Sequence, residues 1–167
     1  MAPKEFITKY RPFALETETK TGISHLFILA QAALESGWGE SVPGNMFFGV
    51  KASKSTPAEK KQLVKTSEVF ADKKQGYRFP KVLSITERAD KKYLYEVLDW
   101  FRKYNTPEES FTDHAQFFFK NPRYAKALLV KSDPRKFAEE VAKAGYATAT
   151  NYAKILKDVI KTIEKNS

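Results

Sequence analysis

The chain of 167 residues contains no cysteine, only two histidines and 7 glycines. Without cysteine it has no disulfide, no thiol nucleophile and no cysteine-ligated zinc or iron–sulfur site. His25 and His114 are too few for a histidine-rich metal centre, so we expect no metal and no cofactor. The glycines form neither a G-x-G-x-x-G pattern nor a P-loop, which argues against a nucleotide-binding loop.

Long apolar runs are also missing. No stretch approaches the roughly 18 apolar residues that a membrane-spanning helix needs. The N-terminal segment Met1–Glu5 is not followed by the apolar region of a signal peptide. We therefore expect a protein that is made in the cytoplasm and does not insert into a membrane, unless another device exports it.

Positive charge, by contrast, is in excess. Twenty-nine Lys and Arg face 20 Asp and Glu, a formal net charge of +9, and 14% of the residues are aromatic. The length and the aromatic content predict one folded domain over residues 1–167. A basic surface favours nucleic acid, anionic lipid or an acidic cell-wall polymer as a partner, although it also serves solubility alone.

Apolar spacing divides the chain into helices, then strands, then helices again. Spacings of three and four predict helices, while partly alternating β-branched and aromatic residues predict two or three antiparallel strands within about 62–100. The helices are expected over residues 3–19, 23–36, 106–120, 123–130, 132–145 and 151–164. Because helices and strands do not alternate, the fold class is α+β: a mostly helical lobe, a small inserted β-lobe and a ligand-binding cleft between them.

One carboxylate stands out. Glu35 lies in the last turn of a helix that is apolar almost all round, next to Gly37, Trp38 and Gly39. Apolar neighbours, the negative end of the helix dipole and a covering indole would each raise its pKa. A raised pKa is what a general acid working near neutral pH requires.

The segment Ala32–Gly39, which reads Ala-Ala-Leu-Glu-Ser-Gly-Trp-Gly, resembles the catalytic-helix motif of glucosaminidase-type peptidoglycan hydrolases, glycoside hydrolase family 73. Three further stretches resemble family motifs in the same order: Gly44–Lys51, Phe101–His114 and Gly145–Ala153. Together these motifs cover nearly the whole chain. In the last motif the family's usual Asp-Pro is replaced by Ala149 and Thr150.

The resemblance implies a lysozyme-like fold and an endo-β-N-acetylglucosaminidase that cuts peptidoglycan glycan strands after N-acetylglucosamine. It implies that Glu35 is the general acid and Tyr146 the active-site tyrosine. We expect four further residues to contact the substrate, Trp38 by stacking on a sugar: Trp38, Asn45, Phe47 and Tyr152. We also expect a monomer that acts on the wall, as a phage or prophage lysin or as a trimmed form of an exported protein.

The second carboxylate of the family lies in the β-lobe, in a Thr-x-Glu context before a hairpin. Glu68 and Glu87 both fit that context, and we favour Glu68 because Asp72–Tyr77 resembles an inserted turn. Glycoside hydrolysis needs such a group to direct water or to stabilise the oxocarbenium-like centre, unless the sugar's own 2-acetamido group takes that role. Both routes remain open at the level of sequence.

Three other functions compete with this interpretation. A lysozyme-type muramidase would cut the other glycosidic bond, and a wall-binding module would have lost catalysis. Nucleic-acid binding would rest on the positive charge alone, because no nucleic-acid-binding motif is present, and we expect none. Asp113 and His114 resemble an acid–base pair, but neighbours in a helix do not face each other, so we expect both to make structural hydrogen bonds.

Overall fold

The computed structural model describes residues 1–167 and divides them into two compact units. The first unit consists of Met1–Phe48 and Tyr104–Ser167, and the second of Gly49–Lys103. The first unit holds six α-helices: α1 (Pro3–Thr21), α2 (His25–Ser36), α3 (Pro107–Lys120), α4 (Ala125–Leu128), α5 (Pro134–Lys143) and α6 (Tyr152–Lys165). The second unit holds three strands: β1 (Lys61–Phe70), β2 (Lys81–Glu87) and β3 (Tyr93–Arg102).

Helix α2 is the centre of the first unit, as its composition predicts. It packs against α1, α3, α5 and α6, and the side chains of Phe27 and Leu29 are almost fully buried. A helix that is apolar on every side is stable only when other helices surround it. The surrounding core is rich in aromatic rings, among them Phe118 and Phe137, which pack around Phe27.

Capping residues set several helix boundaries where the sequence predicts them. The hydroxyl of Thr106 accepts a hydrogen bond from the Glu109 amide at the start of α3. The carboxylate of Asp133 accepts the amides of Arg135 and Lys136 at the start of α5. Such side chains satisfy amides that have no partner within the helix.

The second unit is built on an antiparallel sheet with the strand order β1-β3-β2. The register places Glu68 opposite Tyr95 and Thr66 opposite Val97, so these four residues share one face of the sheet. Tyr95 and Val97 are fully buried. Backbone hydrogen bonds also join the segment around Lys51, which lies outside the predicted helices and strands, to the C-terminal half of β3.

The helices are too short or too polar for a bilayer. None of them combines the length and the apolar composition that crossing a membrane requires.

Candidate active site

Glu35 occupies the C-terminal end of α2, where the chain turns sharply. Three successive residues, Gly37, Trp38 and Gly39, have positive φ angles of 58°, 57° and 76°. The Gly37 amide donates to the Ala33 carbonyl, which closes the helix in a left-handed cap. The turn leaves Glu35 reaching solvent at the end of a buried helix.

The turn requires a strained backbone conformation at Trp38. Left-handed φ is uncommon for a bulky residue and costs about 1–2 kcal/mol. Edge-on packing of its indole against the Phe6 ring, with 5.5 Å between ring centroids, holds the residue in place. Sugar stacking by Trp38 stays a prediction.

Tyr146 lies after α5, just beyond Gly145, whose φ of 86° turns the backbone. Its hydroxyl is 2.9 Å from Nε2 of His114, on α3. The imidazole of His114 is itself stacked on the Phe48 ring, with 3.9 Å between centroids and 11° between planes. The phenol is therefore fixed through a hydrogen bond to a ring that is fixed by stacking.

Tyr152, at the start of α6, extends the same cluster. Its ring stacks on that of Tyr146, with 5.4 Å between centroids and 20° between planes. The side-chain amide of Gln31, on α2, donates to the Tyr152 hydroxyl at 3.0 Å. Gln31 precedes Glu35 by one helical turn, so the two side chains project from the same face of α2.

Loss of water dominates the electrostatics of this cluster. Desolvation raises the pKa of Glu35 above its ordinary value. Burial also raises the pKa of Tyr146, and raises that of Tyr152 to about 12, with the negative charge of Glu35 adding to both shifts. Burial lowers the pKa of His114 to about 4, so its imidazole is neutral near pH 7.

Two of the expected substrate contacts have other roles in the structure. Asn45 has its side-chain amide bonded to the Tyr104 carbonyl at 3.0 Å, and the Tyr104 amide in turn donates to the Gly44 carbonyl. Phe47 is 2% exposed and packs between Tyr10 and Phe111. The core encloses the Phe47 ring in this structure. Substrate contact by Phe47 and by Asn45 stays a prediction.

Replacing Phe47 by alanine is expected to destabilise the protein by about 3–5 kcal/mol, the usual cost of emptying a buried aromatic site. Urea unfolding followed by tryptophan fluorescence measures this free energy. Phe117, which is 36% exposed, provides the control, since its replacement by alanine removes less buried surface. A Phe47→Ala protein as stable as the parent would place the ring on the surface after all.

The second unit holds its own cluster of charged groups on the sheet face that carries Tyr95 and Val97. Nζ of Lys51 lies 2.7 Å from Oε1 of Glu68 and 3.1 Å from Oδ2 of Asp99. The hydrogen bond to Glu68 is the main cause of a raised pKa at Lys51. Glu87 differs: it lies at the exposed end of β2, opposite Tyr93.

Sequence reasoning missed the roles of His114 and Gln31 beside the tyrosines. Asp113 and His114 do bond in different directions, as expected for neighbours on a helix: Asp113 accepts the hydroxyl of Tyr104 at 2.6 Å, while His114 meets Tyr146. Gln31 carried a usable signal, since it lies four residues before Glu35 in a helix that is otherwise apolar.

No group of three His, Asp or Glu side chains is placed to hold a metal ion.

Comparison with known sequences places this geometry in context. Residues 11–165 match the Glucosaminidase family, described as mannosyl-glycoprotein endo-beta-N-acetylglucosaminidase. The chain is 31% identical over 169 residues to the peptidoglycan hydrolase FlgJ of Vibrio parahaemolyticus, covering 98% of this chain and 48% of that protein. It is 29% identical over 140 residues to the exo-glucosaminidase LytG of Bacillus subtilis, covering 80% of this chain and 42% of that protein. The chain thus spans about half the length of the curated relatives it matches.

Solved structures of peptidoglycan hydrolases have a similar fold. The glycoside hydrolase domain of FlgJ from Salmonella typhimurium superposes with a TM-score of 0.72 at 28% identity, covering 99% of this chain and 90% of that one. Its likeness confirms the α+β, lysozyme-like fold that the sequence predicts.

Proposed function

This chain belongs to the glucosaminidase family, and we propose that it hydrolyses the glycan strands of peptidoglycan as an endo-β-N-acetylglucosaminidase. The observation that carries the proposal is the placement of Glu35. Its carboxylate reaches solvent at the end of a buried helix, has a raised pKa, and acts electrostatically on two stacked tyrosines. An apolar setting beside polar groups that can orient a substrate is typical of a glycosidase acid.

Glu35 serves as the general acid. In its protonated form it donates to the oxygen of the scissile bond while the bond from that oxygen to C1 of N-acetylglucosamine breaks. The leaving sugar departs as a neutral hydroxyl, and C1 takes on oxocarbenium-like charge. Desolvation keeps a larger fraction of Glu35 protonated near neutral pH than an ordinary glutamate would have.

Tyr146 orients the reacting groups. The hydroxyl of Tyr146 contacts Nε2 of His114. This contact restricts the side chain of Tyr146 to one orientation. Because both pKa shifts favour the neutral forms of the phenol and the imidazole, the pair acts through hydrogen bonding and carries no charge. We propose that the phenol holds the 2-acetamido group or the attacking water.

Glu68 is the second carboxylate of the proposal. It forms an ion pair with Lys51 on the face of the sheet that carries two fully buried side chains, Tyr95 and Val97. We propose that this carboxylate directs water toward C1 and takes up its proton as the C1–OH bond forms. In the substrate-assisted alternative, the 2-acetamido oxygen attacks C1 first and water opens the resulting ring.

We expect Glu68→Gln to reduce wall hydrolysis more than Glu87→Gln, by about 10-fold or more, since each ~1.4 kcal/mol of lost transition-state stabilisation is a factor of ten. The measurement is the initial rate of reducing-end release from purified walls for each variant. Glu87→Gln is the matched control, with the same chemical change on the same sheet. An inactive Glu87→Gln protein would transfer the role to Glu87, and two active variants would favour the substrate-assisted route.

Analysis of the products tests the bond assigned. Purified peptidoglycan is digested, the new reducing ends are reduced with borohydride, and the fragments are identified by mass spectrometry. Reduced N-acetylglucosamine at the new ends supports the proposal, whereas reduced N-acetylmuramic acid would make the protein a muramidase. Long early fragments indicate cutting within strands, and release of single terminal sugars would indicate an exo-acting enzyme.

The site of action follows from the substrate. We propose that the protein works on the cell wall, as a monomer and without a nucleic-acid partner. Its basic charge suits a polymer whose stem peptides carry carboxylates.

A further inference from the structure

The positive charge of the chain is concentrated in the second unit. Residues 49–103 contain 14 Lys and Arg against 7 Asp and Glu, a net charge of +7 out of the +9 of the whole chain. Any attraction to a polyanion therefore comes mainly from the unit that carries the sheet.

The sheet has two unlike faces. One face carries Glu68 with buried Tyr95 and Val97. The opposite face, here called the outer face, is defined by six residues of β1 and β3: Lys61, Leu63, Lys65, Val69, Leu98 and Trp100. Strand alternation and register place these six side chains on the same face, with the Ser67–Glu96 pair between Val69 and the other five.

The outer face is apolar and open. Leu63, Val69 and Trp100 are 45%, 40% and 37% exposed, and Leu63 lies directly opposite Trp100 in the register. Leu63 and Trp100 are therefore adjacent, whereas Val69 lies apart from them. Adjacent exposed apolar side chains in a soluble protein mark a binding surface more often than isolated ones do. No mechanistic step proposed for Glu35, Tyr146 or Glu68 uses this face.

Ammonium groups lie among these apolar side chains. Nζ of Lys61 is 4.8 Å from the centroid of the Trp100 indole. Lys65 has one acidic neighbour on this face, Glu96, at 3.5 Å, and its side chain is 63% exposed. A weak surface pair of this kind leaves the ammonium available to a stronger anion.

This combination selects the chemistry of the ligand. An exposed indole beside a leucine offers a flat apolar surface to the C–H face of a pyranose ring, and the two ammonium groups offer partners to carboxylates. A second copy of the chain is disfavoured, because a symmetric contact would bring the lysines of both faces together. An anionic polysaccharide satisfies both requirements at once.

We propose that the outer face binds a peptidoglycan strand without cutting it, and so holds the enzyme on the wall between cleavage events. This rests on the proposed function for its ligand, but it concerns a surface on the other side of the sheet from Glu68. The wall would thus be engaged at two places on the protein.

The test measures binding separately from cleavage. Glu35→Gln protein, which is expected to leave walls intact, is mixed with insoluble purified peptidoglycan and the bound fraction is determined by sedimentation at several salt concentrations. In this background, Lys61→Gln/Lys65→Gln is expected to weaken binding about fivefold or more and to flatten its salt dependence. Trp100→Ala is expected to weaken binding by a similar factor without flattening the salt dependence.

One control and one replacement variant accompany these proteins. Lys154→Gln/Lys161→Gln removes the same charge from α6, in the other unit, and should leave wall binding unchanged. Leu63→Thr keeps a good strand former on the outer face, so it replaces Trp100→Ala if that protein melts at a much lower temperature.

The outcomes separate cleanly. Equal binding by the outer-face variants and the α6 control would overturn the proposal. Parent protein that binds DNA or anionic vesicles but not walls would also overturn it. So would a dimer of the parent protein, detected by analytical ultracentrifugation, that the Trp100→Ala substitution dissociates. Failure of the proposed function is recognised differently: protein with Glu35 intact would release no reducing ends from walls, whatever its binding.

Discussion

Replacing Glu35 by glutamine is expected to slow wall hydrolysis by at least about 10²-fold, the scale of general acid catalysis. Glutamine keeps the size of the side chain but cannot deliver a proton to the leaving oxygen. The rate of reducing-end release from purified walls measures the loss. Glu40→Gln provides the control, since Glu40 is an exposed carboxylate just beyond the glycine turn. Wall lysis at near the parent rate by folded Glu35→Gln protein would remove Glu35 from the mechanism.

The pH dependence of the reaction gives a second check on Glu35. A general acid must be protonated, so activity falls as the pH rises through its pKa, and desolvation moves that fall above the pH expected for an ordinary glutamate. The basic limb of the kcat/KM profile should therefore lie above the usual glutamate range. A profile that falls at the pKa of an ordinary glutamate would contradict the desolvated site.

The stability contributed by Glu35 should fall with rising pH over the same range as the activity. Because the folded protein binds the Glu35 proton more tightly than the unfolded chain, this group's contribution to stability is present at low pH and is lost as the pH rises through the folded pKa. Glutamine removes that dependence. The Glu35→Gln protein should consequently melt no lower than the parent at pH 8.

The features that sequence predicts best here depend on local chemistry. Thr106 and Asp133 cap helices because their side chains reach amides two or three residues away. The all-apolar composition of α2 predicts its burial, and Gly37 predicts its end. In each case the residues that interact lie within a few positions of each other, so the sequence pattern predicts the interaction.

Features that depend on contacts between distant parts of the chain cannot be predicted from the spacing of residues in the sequence. His114 meets Tyr146 across 32 residues, and nothing in the spacing of either residue records that pairing. Lys51 joins β3 from a polar segment without alternation, so its ion pair with Glu68 depends on sheet register. Phe47 shows a related limit: a family motif does not distinguish an aromatic residue that contacts substrate from one that packs in the core, as the Phe47 ring does here.

The hydroxyl of Tyr146 is expected to contribute at least about tenfold to the rate, which corresponds to ~1.4 kcal/mol of transition-state stabilisation. Tyr146→Phe retains the ring and its stacking on Tyr152 while removing only the oxygen. It also removes the hydrogen-bond partner of His114 Nε2, which is surrounded by aromatic rings. Leaving a buried polar atom without a partner costs about 1–3 kcal/mol of stability. The melting temperature of this variant should therefore fall together with its rate, so neither measurement alone separates chemistry from packing.

A second substitution separates the two effects. In Tyr146→Phe/His114→Phe the imidazole that lost its partner is replaced by an apolar ring, which can keep the stacking on Phe48. Because replacing both partners of a buried hydrogen bond can be nearly neutral, the double variant should recover most of the lost melting temperature. Its rate should stay low if the hydroxyl acts on the sugar or the water. Tyr152→Phe provides the comparison: it removes the hydroxyl that accepts from the Gln31 amide and should lower stability, with little change in rate if Tyr152 only packs. A double variant that recovers both stability and wall lysis would show that the Tyr146 hydroxyl only supports packing.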